Sequence, residues 1–284
     1  MEQHTKMNYT QTDKRTKKRR STFSIVLTTI LISAVLLVLL AVALYFMGFR
    51  CDLNGSFKYF GRVDGNGNPI TGTIYYSTGV TAEVDMANRT VTYSNGDVYE
   101  GALDNKFRRH GKGKMTFFAT GDVYEGDFNQ DSMTGYGKYT FANGDVYEGD
   151  LVDGKKHGQG TYSWADNSVY TGAYVDDLKN GSGEYIWANG DTYKGTYVDE
   201  LKEGTGVYTF ANGDKYVGDF KADMRDGHGE YVWANGDTYE GEFKENKLHG
   251  EGKYTWASGS YYEGLFENGK IVQSDANDSV EQTQ

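Results

Sequence analysis

The residues able to carry chemistry in this 284-residue chain recur at fixed intervals, and the interval limits what they can do. Three histidines stand in the His-Gly step of the repeat's loop, at His110, His157 and His249. Metal ligands must reach one ion through bonds of ~2 Å. His157 and His249 are 92 residues apart, four times an interval of 23. At two strands per interval that is ~38 Å of sheet, so they share no ion within one chain. His228 falls on a polar face and reads as solvated. Carboxylates form a ladder, as in Glu125/Asp127 and Glu148/Asp150. Calcium favours clustered carboxylates, but no EF-hand spacing occurs, and lysines and threonines on adjacent strands are the expected partners. Nor do repeated carboxylate pairs imply the unique pocket of a glycosidase. The single cysteine, Cys51, rules out an intramolecular disulfide framework and a cysteine zinc cluster, and no histidine lies near it as a base. Gly65-x-Gly67 lacks the helix that a phosphate loop requires. The reading is a non-enzymatic chain with no catalytic residue, metal or cofactor. The remaining candidate is an aromatic series, Phe141, Trp164, Trp187, Phe210, Trp233 and Trp256, one ring every 23 residues. Such rings act by contact, as a partner-binding face, or serve only as the core.

The elements that position these rings follow from a repeat. Tyr-x-Gly recurs at Tyr99, Tyr124, Tyr147, Tyr170, Tyr193, Tyr216, Tyr239 and Tyr262, at a first interval of 25 and then always 23. With each tyrosine as position 0, position +2 is glycine and +4 is apolar (Phe128, Leu151, Tyr174, Tyr197, Phe220, Phe243, Phe266). In the regular repeats +11 and +13 are glycine, +15 is tyrosine (Tyr139 to Tyr254), and +17 carries the aromatic series. Alternation at period 2 makes strands. Each unit is a hairpin with one aromatic-glycine face and one face of Glu, Asp, Thr, Ser and Lys. Parity sets the loop between units. A two-residue Asn-Gly turn would throw successive aromatic sets onto opposite faces. A three-residue Ala-Asn-Gly loop, its glycine left-handed, keeps them together. The glycines at +2, +11 and +13 are expected to leave bare backbone for rings to lie over. At +20, Asp166-Asn167 replaces the usual glycine step but tolerates the left-handed geometry.

The fold class is therefore all-β: an elongated single-layer antiparallel meander of hairpin repeats, preceded by one transmembrane helix. Seven full units and one partial unit occupy 94–270. Residues 50–93 read as a degenerate capping copy, with Tyr59, Gly61, Gly72 and Gly79 at 0, +2, +13 and +20, and with Pro69 and an irregular segment 82–93 blunting the edge. Residues 271–284 read as a polar disordered tail.

Residues 22–49 contain no charged side chain and are dense in Leu, Ile and Val. As a helix they would span ~42 Å, more than the ~30 Å hydrocarbon core. The reading is an uncleaved signal anchor, because the apolar run is longer than a signal-peptide core. Ala41-Val42-Ala43 is the alternative, a cleavage site. Residues 1–21 carry seven Lys/Arg against Glu2 and Asp13, whereas residues 50–284 carry 22 basic and 38 acidic residues. The positive-inside rule places 1–21 in the cytoplasm and the repeats outside, in a single-pass membrane protein. The acidic repeat region argues against nucleic acid and disfavours anionic lipid headgroups as partners. Sequons at Asn54, Asn88, Asn180 and Asn277 matter only in a glycosylating pathway.

The stretch Tyr-Glu-Gly-Asp-Leu-Val-Asp-Gly-Lys-Lys-His-Gly-Gln-Gly-Thr-Tyr, residues 147–162, resembles the MORN repeat (membrane occupation and recognition nexus), and 239–254 is nearly as close. The resemblance implies an antiparallel hairpin array of the kind that serves as scaffold, dimerisation element or membrane-proximal binding module. Some members of that family were proposed to bind phosphoinositides, and others carry a kinase or methyltransferase domain, for which this chain has no room. It keeps the His-Gly of the loop only at His110, His157 and His249 and is acidic where lipid binding would want basic residues. The expected function is a membrane-anchored, non-catalytic scaffold that makes protein–protein contacts or self-associates. The alternatives are a lipid-binding module and an extracellular carbohydrate or wall-associated binder.

Overall fold

The structure, a computed structural model, describes residues 5–51 and 55–272. The chain divides into two compact units, Met1–Asn88 and Arg89–Gln284. Among the described residues one helix is followed by twenty-one strands, which pair antiparallel with their chain neighbours within each unit.

In the first unit, helix α1 spans Thr5–Phe46. This corrects the expected helix over 22–49 at both ends. It runs back through the basic segment, where Lys, Arg and Gln are good helix formers, and it stops three residues early. Gly48 is the reason: at φ +90° it takes the left-handed position that ends helices. Met47 N–H donates to the Ala43 carbonyl at 2.9 Å and Gly48 N–H to that of Tyr45 at 3.1 Å. Phe49 already belongs to β1 (Phe49–Cys51), which pairs with β2 (Phe57–Val63); β3 (Pro69–Tyr76) and β4 (Thr81–Asp85) follow. Within α1, Phe23–Phe46 is long and apolar enough to cross a membrane, with mean hydropathy 3.0 and none of it buried against protein. It is a candidate span.

The degenerate copy keeps the repeat's logic. Gly61 pairs with Gly72, the Tyr59 hydroxyl lies over both, and Gly79 turns at φ +88°. The segment 82–93 is not irregular, which corrects that expectation. It supplies β4 and, in the second unit, β5 (Thr90–Tyr93). Ala82, Val84 and Val91 alternate with polar residues and are buried, the pattern of half-buried strands.

In the second unit, β5 leads to β6 (Val98–Leu103) and β7 (Arg109–Thr116). Six hairpins follow, from Val123–Asn129/Ser132–Thr140 to Thr238–Lys244/Lys247–Thr255, and a short last one, Tyr261–Glu267/Lys270–Ile271. The tail reading for 271–284 concerns, from Gln273 on, residues outside those described. The hairpin 146–163 is typical. Tyr147 pairs with Tyr162 and Gly149 with Gly160, and on its other side Tyr147 pairs with Tyr139, so all the tyrosines share a face. The connecting loop is the three-residue Ala142-Asn143-Gly144. Phe141 N–H donates to the Asp145 carbonyl, Gly144 N–H to that of Phe141, and Gly144 sits at φ +95°. Asn167 holds the same place at φ +72°.

Two features of the hairpin correct or extend the sequence reading. Between the pairs Gly149–Gly160 and Leu151–Lys156, one residue faces three, a bulge. Gly158 at +11 serves that bulge, at φ +59°, rather than a ring. The ring-bearing glycines are +2 and +13: a Cβ on Gly160 would lie 2.5 Å from the Tyr147 ring. Inside each hairpin from Val123 on, positions +6 and +7 form a two-residue turn with both φ positive, as in Asp153-Gly154, Asp199-Glu200 and Ala222-Asp223, the signature of type I′. The 25-residue first interval is also explained. One extra residue lengthens the loop between Asp104 and Arg108, and another the loop between Phe117 and Asp122.

Candidate functional site

The aromatic face of the second unit carries two rows of rings. The floor row joins positions 0 and +4 edge to face, as in Tyr170–Tyr197 at 5.3 Å and Tyr193–Phe220 at 5.0 Å. The position-0 rings from Tyr99 to Tyr239 are fully buried, and each hydroxyl donates to a backbone carbonyl, Tyr147 to Asp150 at 2.7 Å for example. Tyr99 and Tyr124, desolvated by burial, are pushed up to about 12.

The upper row is the sequence's candidate series. Phe141, Trp164, Trp187, Phe210, Trp233 and Trp256 interleave with the +15 tyrosines and Phe117 into thirteen rings in unbroken contact, with centroids 4.3 to 6.0 Å apart. The candidates before Trp256 are half-buried, and Trp256 at the end is 38% exposed. Neighbours cover the ring faces: Trp187 lies 4.3 Å from Tyr185 and 5.3 Å from Tyr208.

Aspartates at +21 clip successive units together. Asp145 Oδ2 accepts the Tyr162 hydroxyl at 2.8 Å and Oδ1 accepts the Ala165 N–H at 2.9 Å. Asp122, Asp191, Asp214 and Asp237 repeat the arrangement, and Ser168 takes the aspartate's place between Asp145 and Asp191. These bonds hold Asp214 and Asp237 below the usual carboxylate range, chiefly through the tyrosine hydroxyl and then the alanine N–H.

Sequence reasoning missed a row of cations at +9. The bulge preserves parity, so Lys156, Lys179, Lys202 and Arg225 lie on the aromatic face. Lys179 Nζ sits 5.1 Å from the Tyr185 ring and 5.2 Å from that of Tyr197, and Lys202 Nζ 5.5 Å from Trp187. Their partners come from the next unit's turn: Lys179–Glu200 and Lys202–Asp223, both at 3.1 Å. The readable signal was the spacing of 23 among the four.

The polar face pairs its charges across strands, as in Lys194–Glu184 at 3.7 Å and Lys253–Glu263 at 3.6 Å. Carboxylates at +3 cap the bulge: Asp219 accepts the His228 N–H at 2.9 Å. His110 lies in β7 and His157 in a later strand, whereas His228 and His249 pair with Glu242 from its two sides. Among the described residues no group of three or more His, Cys, Asp or Glu is placed to hold a metal ion. Of the sequons, Asn88 and Asn180 donate to Asp85 and Asp199, whereas Asn54 and Asn277 lie outside the described residues.

The model of the MORN repeat family matches residues 108–118, 124–146, 147–169, 170–192, 193–215, 216–238 and 239–261, more than half of the chain and in phase with the tyrosines. The chain belongs to the MORN-repeat family. The matches to this MORN protein pass over 119–123, where the lengthened loop breaks the repeat. Among solved structures, it is similar to the TCP10 domain of Danio rerio CPAP in complex with a peptide of Danio rerio STIL. That likeness has 14% identity and a TM-score of 0.37, covering 73% of this chain and 99% of that one. It is also similar to the SAS-4 TCP domain of Drosophila melanogaster in complex with a proline-rich motif of Ana2, at 16% identity and a TM-score of 0.36, covering 64% and 93%. No curated protein matches the chain.

Proposed function

We propose that this MORN protein is a single-pass membrane protein whose repeat array is a non-catalytic scaffold, contacting proteins, further copies of itself included, through the aromatic face. One observation carries the reading: the thirteen-ring row keeps its +17 rings partly open across the second unit, where a row needed only as core would be closed. The Phe23–Phe46 span supports the anchor, and the basic residues before it support a cytoplasmic N-terminus with the array on the other side. The acidic balance of the array works against docking on anionic lipid.

A photo-crosslinking amino acid at Trp187 is expected to capture a protein in intact cells, and the same group at Thr171 on the opposite face is not. Equal labelling at the two positions would remove the assignment of the face. Protease protection in sealed vesicles checks the orientation. The array is expected to be shielded in vesicles whose lumen is extracytoplasmic, and its digestion there would reverse the topology.

A further inference from the structure

At Leu151 the second unit departs from its repeat, and there a groove of about 440 Å³ opens on the aromatic face, lined by Met133, Phe141, Tyr147, Leu151, Lys156 and Tyr162 among others. The cause is a missing ring. Position +4 carries an aromatic at Phe128, Tyr174, Tyr197, Phe220, Phe243 and Phe266, each filling the space between successive floor tyrosines. Leu151 is smaller, and between Tyr124 and Tyr147 the floor row is interrupted. Leu103 makes the same change in the first repeat, but there the longer loop buries Phe107. The groove falls within the range of ligand sites, ~300–1,000 Å³.

Its cation also differs from the others of the +9 row, for Arg225, which among the described residues holds no carboxylate either, donates to the Asn246 carbonyl at 3.0 Å. Lys179 and Lys202 each hold a carboxylate at 3.1 Å. Among the described residues Lys156 Nζ has no carboxylate within ion-pair distance. It rests between the rings of Tyr162 and Tyr174, at 5.0 and 5.2 Å. Asp177, which also borders the groove, spends Oδ1 on the Lys156 backbone N–H at 2.9 Å. Apolar walls of Met133, Phe141 and Leu151 thus end at an ammonium without its ion pair, half-buried among rings, where a carboxylate interaction is stronger than in water.

We propose that this groove binds a partner peptide through an apolar side chain seated on Leu151 and a neighbouring carboxylate paired with Lys156. This rests on the reading of the aromatic face as a protein-binding surface and names the chemistry of the partner. The carboxylate comes from an acidic side chain or a chain terminus, and the test separates the two.

The full chain in phospholipid nanodiscs, with empty nanodiscs as blank, is titrated by ligand-observed NMR with N-acetylphenylalanine, N-acetyl-Asp-Phe-amide and N-acetylphenylalaninamide. At least one carboxylate-bearing probe is expected to bind about tenfold more tightly than the amide, the worth of one charge-assisted contact. The tighter of the two acids identifies the source. Lys156→Met is expected to abolish that preference. Leu151→Phe, which installs the phenylalanine found at +4 in four other units, is expected to abolish binding of all three probes while leaving the thermal midpoint unchanged or raised. Absence of binding to the natural chain, binding that survives Leu151→Phe, or a carboxylate preference that survives Lys156→Met overturns the proposal. Crosslinking at Trp187 would stand regardless, so failure here is distinguishable from failure of the scaffold reading.

Discussion

At the residue scale, two glycines of one hairpin look alike in sequence and do different work. Gly206 lies under Tyr193, and a Cβ there would meet the ring at 2.6 Å. Gly204 has open space around it but holds φ +66°. Gly206→Ala is expected to cost about 1–3 kcal/mol through overpacking, and Gly204→Ala about 1–2 kcal/mol through left-handed strain alone. Urea midpoints would check the order, and Gly204 as the costlier site would refute it. Ala222 occupies the first turn position at φ +46° with a side chain that gives nothing back for the strain. Ala222→Gly is expected to stabilise by about 1 kcal/mol, the strain relieved less the added backbone entropy. The +15 and +17 rings were legible because aromatic residues at constant phase have no other cause. The turns were not: only two of the seven I′ turns contain glycine, at Gly154 and Gly269, and Asp-Glu or Ala-Asp carries no turn signal.

At the scale of elements, the inter-unit clips and the buried tyrosines set opposite ends of a pH window. Asp214 and Asp237 have folded pKa values below their unfolded ones. Their contribution is therefore complete above the unfolded value of about 3.9 and is lost as pH falls through the folded values. Tyr99 and Tyr124 are raised to about 12, so their contribution is complete below the unfolded value of about 10 and is lost as pH rises toward 12. Thermal midpoints are expected to be flat between about pH 5 and 9 and to fall on both sides. Asp214→Asn should lower the midpoint at neutral pH and flatten the acid limb; an unchanged acid limb would show that the clip is not the titrating group. The +9 cations were hidden at this scale. A bulge of one residue against three leaves parity intact and cannot be inferred from alternation, and Met133 and Leu248 interrupt the basic series at its ends.

At the scale of the whole molecule, register matters more than length. Each hairpin of the second unit pairs with the hairpins before and after it in one phase. Nearest-neighbour stacking of this kind makes stability nearly additive in units. Deleting 170–192, one full period, is expected to preserve a cooperative transition with a modest loss. Deleting 170–180, less than half a period, puts Gly181 where the floor ring of Tyr170 stood, leaves all that follows out of phase with the units before it, and should abolish the transition. Circular dichroism melts would tell them apart, and similar curves for the two deletions would contradict the phased packing. The fold was open to sequence reading at this level because the period is long, repeated and never slips after Tyr124. The end of α1 was not, because a single glycine conformation at Gly48 decides it.

The thirteen-ring row also has an optical consequence. Every tryptophan of the chain, Trp164, Trp187, Trp233 and Trp256, stands in that row beside a tyrosine whose centroid is 4.3 to 5.1 Å away. Excitation absorbed by those tyrosines will pass to the indoles before it can be emitted, and the coupled transitions will give a strong near-ultraviolet circular dichroism band. The chain therefore carries an intrinsic light-harvesting strip, and anything that settles on the aromatic face will change its colour and brightness without a label.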